Sequence, residues 1–202
     1  IFSVSIENPI TQDNLATLEF DKNGLPIGEG SEEEGWTYNR SMLTILEGYT
    51  FNRPDQIVSC YVENNGTISN GVFTSEVYNG DANTNGLITG GEFEWRVTNK
   101  GSITGGNFLE EISNSGIIKN ININWLSSNS GMIDNVTVKD LSNNSGIIKN
   151  SVFGLYYDEG KPENARTLTI RAKLALVNNV IEIKEDSGRT AYVVGDRDVT
   201  VK

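Results

Sequence analysis

The chain has 202 residues, 37% of them apolar, and carries 27 acidic against 16 basic side chains, for a net charge of -11 and a pI near 4.5. An acidic field repels phosphate, which argues against nucleic acid as a partner, and the lack of any histidine removes the commonest general base, zinc ligand and pH switch together. The single cysteine, Cys60, can close no intrachain disulfide, and no apolar run approaches the roughly 18 residues of a membrane-crossing helix, so no membrane insertion is expected.

The first stretch, residues 1–42, reads as an irregular β cap. Phe2 to Ile6 alternates like a strand that Asn8-Pro9 ends, Ala16 to Phe20 predicts a second strand before an Asn23-Gly24 turn, and Glu32-Glu33-Glu34 lies in a solvated loop. The opening residue is Ile1 rather than Met, so processing of a longer precursor is expected. Residues 43–62 then predict an irregular first coil, in which Ile45 to Gly48 keeps the spacing of Ile68 to Gly71. Within it Val58 to Val62 reads as a strand, with Cys60 a small buried hydrophobe on the face opposite Val58 and Val62.

A repeat follows. Gly66, Gly86, Gly101, Gly116, Gly131 and Gly146 recur at spacings of 20, 15, 15, 15 and 15 residues, and each is followed two residues later by isoleucine: Ile68, Ile88, Ile103, Ile118, Ile133 and Ile148. A second apolar column comprises Phe73, Phe93, Phe108, Ile123, Val138 and Phe153, and a third Val77, Val97, Ile112, Leu126, Leu141 and Tyr156. Glycine and asparagine every few residues exclude helix, while aromatic and β-branched residues favour strand. The pattern predicts an all-β, single-stranded parallel β-solenoid over residues 43–157, regular from 64, with coils of about 15 residues, three short strands and three corners each. Two further columns, Asn64, Thr84, Asn99, Asn114, Asn129, Asn144 and Asn70, Gly90, Gly105, Asn120, Asn135, Asn150, read as corners, because both residue types tolerate a left-handed backbone. The extra five residues before Gly86 are assigned to a corner loop, Asn79-Gly80-Asp81-Ala82-Asn83.

After Phe153 the repeat stops. Residues 158–202 predict a second β cap of short strands at Leu168 to Ile170, Lys173 to Val177, Val180 to Ile183, Ala191 to Val194 and Asp198 to Val201, joined as hairpins and expected to lead into a further domain.

The pattern N-x-G-x-I-x-x-G-x-F, carried by Asn85-Gly86-Leu87-Ile88-Thr89-Gly90-Gly91-Glu92-Phe93 and by Gly101-Ser102-Ile103-Thr104-Gly105-Gly106-Asn107-Phe108, resembles repetitive adhesin-like surface proteins of gut bacteria. Gly35-Trp36-Thr37-Tyr38-Asn39 followed by Leu43-Thr44-Ile45 is similar to what precedes such arrays, and the last three coils depart from the pattern in replacing the second glycine by Asn. The resemblance implies a secreted or cell-surface location and a binding or structural role, and carries over no catalytic residue.

Three features invite a functional reading. Asp81, Asn83, Asn85 and Glu92 sit at loop positions 1, 3, 5 and 12 of an EF-hand calcium pattern, the one cofactor the chain suggests, although Asn85 also serves the repeat. Trp95 and Trp125 fall at the same repeat position two coils apart with Glu110 between them, and would offer a stacking platform to a glycan if they point outward. Alternation with Phe93 and Val97 turns Trp95 inward, whereas Glu110 and Asp140 in its column turn it outward. Finally Leu87, Ile117, Met132 and Ile147 form an apolar stripe opposite the buried isoleucines, to be covered by a cap strand, a second subunit or a protein ligand.

These features favour a noncatalytic, monomeric surface module, an adhesin or stalk that binds glycan or protein. A phage tail-fibre β-helix is the alternative. A polysaccharide-degrading enzyme would need paired carboxylates, for which Glu110 with Asp140 is the one laddered pair.

Overall fold

The computed structural model describes residues 12–157 apart from 82 and 142, together with the strands Thr169–Ile170, Leu176–Val177, Val180–Glu185 and Thr190–Val194. Helix is absent from the described residues, and parallel strands stack into a β-solenoid of about 7 turns with coils of about 15 residues. A representative coil consists of Val97–Asn99, Ser102–Ile103 and Asn107–Phe108, lying parallel and in register on Val77–Asn79, Leu87–Ile88 and Glu92–Phe93 of the coil before. The three strands define a valine, an isoleucine and a phenylalanine face.

Register makes ladders of like residues inside. Ile68, Ile88, Ile103, Ile118, Ile133 and Ile148 are all buried. On the phenylalanine face Phe73, Phe93 and Phe108 stack almost parallel, at centroid distances of 5.0 and 4.8 Å and interplanar angles of 8° and 6°, an arrangement that adds to area burial.

The recurring glycine is required by close approach. A Cβ on Gly101, Gly116, Gly131 or Gly146 would lie 2.0 to 2.2 Å from the carbonyl oxygen of the equivalent glycine one coil earlier. No side chain fits where two backbones meet at that corner.

The first asparagine column has a different role from the one expected. Its side chains turn inward, and Nδ2 of each donates to Oδ1 of the next: Asn64 to Asn79, Asn79 to Asn99, Asn99 to Asn114 and Asn114 to Asn129, each at 2.7 Å, and Asn129 to Asn144 at 2.6 Å. These residues are fully or almost fully buried, so the ladder satisfies amides that would otherwise be costly to desolvate. Asn79, not Thr84, occupies the rung between Asn64 and Asn99, because the rung needs an amide that both donates and accepts. Thr84 instead lies in the corner loop, where its hydroxyl meets Oδ1 of Asp81 at 3.0 Å.

The second column is a corner with left-handed backbone at Asn120, Asn135 and Asn150 (φ 58°, 56° and 48°). In the earlier coils the left-handed residue is instead one place later, at Gly71, Gly91 and Gly106 (φ 134°, 103° and 113°), and Gly90 and Gly105 are not left-handed.

The first coil comprises Met42–Ile45 and Thr50–Val58. Ile45 pairs with Asn64 and Phe51 with Ile68, so the expected equivalence of Ile45 with Ile68 is replaced by one in which Phe51 heads the isoleucine column. The strand ends at Val58 and the chain bends at Cys60, which lies buried with Val58 and Val62 rather than on the opposite face, as period-2 alternation puts residues 58, 60 and 62 on one side. Burial pushes its thiol up to about 11.

Over this end fold residues 12–39. Gly30–Ser31 and Trp36–Asn39 add two antiparallel strands to the valine face, and Leu15, Leu18 and Trp36 are buried on the core. Ala16 to Phe20 forms no strand: only Phe20 bridges Pro26, around a turn in which Oδ1 of Asp21 accepts from the backbone of Asn23 and Leu25. Arg53 pins this loop, donating to Asp13 at 2.9 Å and to the carbonyl of Leu15 at 2.6 Å. The expected strand at Phe2 to Ile6 lies outside the described residues.

At the other end the stacking runs past residue 157. Asn144 pairs with Ile170, Ile148 with Leu176 and Phe153 with Ile181, all parallel, which continues all three faces although the sequence signature has ended. Val180–Glu185 then turns into an antiparallel hairpin with Thr190–Val194. The expected strand at Asp198 to Val201 lies outside the described residues.

Candidate functional site

The outer surface of the valine face gathers most of the residues that could do chemistry. Alternation along each strand puts Val62, Val77, Val97 and Ile112 inside and sends Tyr61, Glu63, Tyr78, Thr98 and Glu111 out. Register lines up Met42 with Tyr61, and Glu111 with Trp125 and then Asp140.

Trp95 is outward. The chain bends between Glu92–Phe93 and Val97–Asn99, so alternation is broken there, and Trp95 emerges 56% exposed. Trp125 lies instead within the continuous strand Asn122–Asn129 and pairs with Glu111, one residue away from the Trp95 and Glu110 column. The shift comes from the corner before Leu126, which is one residue shorter than the corner before Ile112; a bulge between Ile112 and Ser113 restores the register at Asn129. Asp140 follows Trp125, so the expected ladder of Glu110 with Asp140 is not formed.

Despite the offset, both indoles reach one groove of about 240 Å³, lined by Trp95, Arg96, Glu110, Glu111 and Trp125. Arg96 and Glu111 are absent from the sequence-based candidates. Arg96 reaches across three coils, with Nη1 at 3.6 Å from Oε1 of Glu76 and Nε in a close ion pair with Oε1 of Glu111. The signal was available: Arg96 is the one arginine of the array, and counting from the buried valines puts Glu76 and Glu111 in its column on either side. The groove thus has aromatic walls, a charge-compensated guanidinium and carboxylate acceptors. Beside it, burial and then the adjacent Glu76 carboxylate push the Tyr78 phenol above its ordinary range.

The segment Asp81 to Glu92 does not close into a calcium loop. It runs from the corner loop through Leu87–Ile88 and past a second corner to Glu92–Phe93, so Glu92 stands on a different face from Asp81. Oδ1 of Asp81 accepts from the backbone of Asn83 and Thr84 and from the Thr84 hydroxyl, and these bonds hold its carboxyl below the usual range. Among the described residues no group of three or more Asp, Glu or Cys side chains is placed to hold a metal.

Leu87, Ile117, Met132 and Ile147 share one outward column of the isoleucine face, interrupted by Ser102. Ile117 and Ile147 are 36% and 42% exposed, and Leu87 and Met132 are partly covered. Lys119, Asp134 and Lys149 form a charged column alongside.

No family model matches the chain, and no curated protein or solved structure matches it either.

Proposed function

We propose that the chain is a noncatalytic binding module of adhesin type, secreted or displayed on a cell surface, and that the groove between Trp95 and Trp125 takes a glycan. The observation that carries this reading is the exposure of Trp95 in a groove shared with Trp125, Glu110 and Glu111. Two indoles that share one concave site with a few placed carboxylates match the lining that small ligands use, which a singly exposed aromatic would not. A sugar suits such a lining, because the ring presents a C–H face that stacks on indole and hydroxyls that donate to carboxylates. A rigid ladder of backbone hydrogen bonds beneath the groove preorganises it and lowers the entropy lost on binding.

Hydrolysis is the less favoured reading. Glu111 is occupied by Arg96, and the backbone register sets Asp140 against Trp125 rather than in line with Glu110, so the laddered carboxylate pair that a hydrolase would use is not formed. The module acts as a monomer, with its coils serving as a stiff support.

The test is binding of the labelled chain to an array of neutral glycans, compared with Trp95→Ala and Trp125→Ala. Each variant is expected to lose about tenfold or more in affinity while keeping the wild-type circular dichroism spectrum. Unchanged binding by both variants, or no binding by the wild type, would remove the reading.

A further inference from the structure

The groove at Trp95 is one of two on the same face. The second, of about 310 Å³, is lined by Met42, Glu63, Tyr78, Asp81, Thr98 and Lys100. Register connects them: Glu63 pairs with Tyr78 and Tyr78 with Thr98, in the column beside the one that holds Tyr61 and Glu111. Tyr61 is 47% exposed at the far end of this surface. Going from Tyr61 through Glu76, Arg96 and Glu111 to Trp125 takes four coil steps, or about 19 Å at about 4.8 Å per step. An aromatic therefore stands at each end, and the ion-paired Glu76, Arg96 and Glu111 lie between them.

From this we infer that the two grooves are subsites of one strip along the solenoid axis, and that its ligand is an extended, neutral, β-linked polysaccharide rather than a terminal sugar. The inference rests on the glycan reading above. Three observations carry it. The strip is long in one direction only: the strand Val97–Asn99 has 3 residues, so a chain crossing the face would leave it after about 10 Å. One sugar unit of an extended β-linked chain advances by roughly the height of one coil, so successive rings would meet successive rungs. The charged groups of the strip are mostly acids, Glu63, Asp81, Glu110 and Glu111 against Arg96 and Lys100, and Arg96 is already compensated. A polyanion such as a polyuronate would be repelled, whereas neutral hydroxyls find acceptors all along the surface.

The experiment is titration calorimetry of the whole chain with dimers and hexamers of cello-, xylo- and chito-oligosaccharides, and with hexagalacturonate as the anionic control. In at least one neutral series the hexamer is expected to bind about tenfold or more tighter than the dimer. Tyr61→Ala, at an exposed position, should bring the hexamer close to the dimer and leave the dimer unchanged, whereas Trp95→Ala should weaken both. Equal affinities for dimer and hexamer, lost together in Trp95→Ala, would overturn the strip and leave the single glycan groove standing. Tight binding of hexagalacturonate would overturn the neutral ligand class. Failure of every neutral probe to bind the wild type would remove both readings.

Discussion

The coils that begin at Gly86 and Gly101 and those that begin at Gly116 and Gly131 keep the same 15-residue period but fill their interior differently. In the first group the corner before the phenylalanine face reads Gly90-Gly91 or Gly105-Gly106, followed by a large ring two residues on. A Cβ on Gly106 would come within 3.1 Å of the Phe108 ring and 3.2 Å of Phe93, so the ring occupies the room a side chain would need. In the second group the corner reads Asn120-Ile121 or Asn135-Val136, and the left-handed turn has moved back to the asparagine. Ile121 and Val136 are buried beside Ile123 and Val138, so two aliphatic side chains stand where a glycine and a phenylalanine stood. A second exchange accompanies the first. The later coils drop a residue before the valine face and regain it at the bulge beside Ser127, whose hydroxyl is held by Ser113 at 2.9 Å. Coil length and interior volume are what stacking demands, and residues can move among corners as long as both are kept.

The largest test of this comparison empties the interior on each side. Phe93→Ala is expected to cost about 3–5 kcal/mol by chemical denaturation, because both neighbouring rings lose a stacked face, and Ile123→Ala should fall toward the lower end of about 2–5 kcal/mol. Equal losses would show that the ring stack adds nothing beyond volume. The next test recodes an early coil as a late one. Gly106→Val alone should cost about 1–3 kcal/mol through overpacking, compounded by its left-handed φ of 113°. The triple variant Gly105→Asn, Gly106→Val, Phe108→Val should be more stable than that single variant, and if it is less stable, exchange of volume between the two positions is refuted. The smallest effect concerns the corner itself: Asn120→Ala should cost about 1 kcal/mol, and Asn120→Gly should be within a few tenths of wild type, since glycine accepts the same φ of 58°. A thermal melt separates the two.

Much of this architecture was legible in the residues, for a physical reason. Ile88 and Ile103 recur because equivalent side chains touch, and Gly101 recurs because its neighbour is a backbone oxygen, so period and buried columns could be read without coordinates. The misreadings share a different cause. Counting back from Gly86 aligns Thr84 with Asn64 and Asn99 in one corner column, because the count cannot say on which side of the loop the extra residues lie; the column is in fact a buried amide ladder, and the need for an amide on that rung points to Asn79. Trp125 was aligned with Trp95 because repeat numbering does not see a bulge. The coil beyond residue 157 was missed because backbone pairing survives the loss of the Gly and Ile signature. Of the candidate site, Trp95, Trp125 and Glu110 stand out in the sequence as repeat-position residues, whereas Arg96 and Glu111 emerge only on counting back one residue from the buried Val97 and Ile112.

The buried amide ladder has a direction. Each asparagine from Asn64 to Asn129 donates to the next one toward the C-terminal end, so the series begins on an acceptor without a donor, Oδ1 of Asn64, against which the register sets Ile45. At each later stage of growth the exposed end of the pile is a waiting N–H, and the next coil to arrive supplies the carbonyl that quenches it. A nascent chain delivers its coils in that same order. The molecule can therefore be built like masonry, each course finished by the one laid on top of it, and a course left uncovered keeps an unspent donor that invites the next.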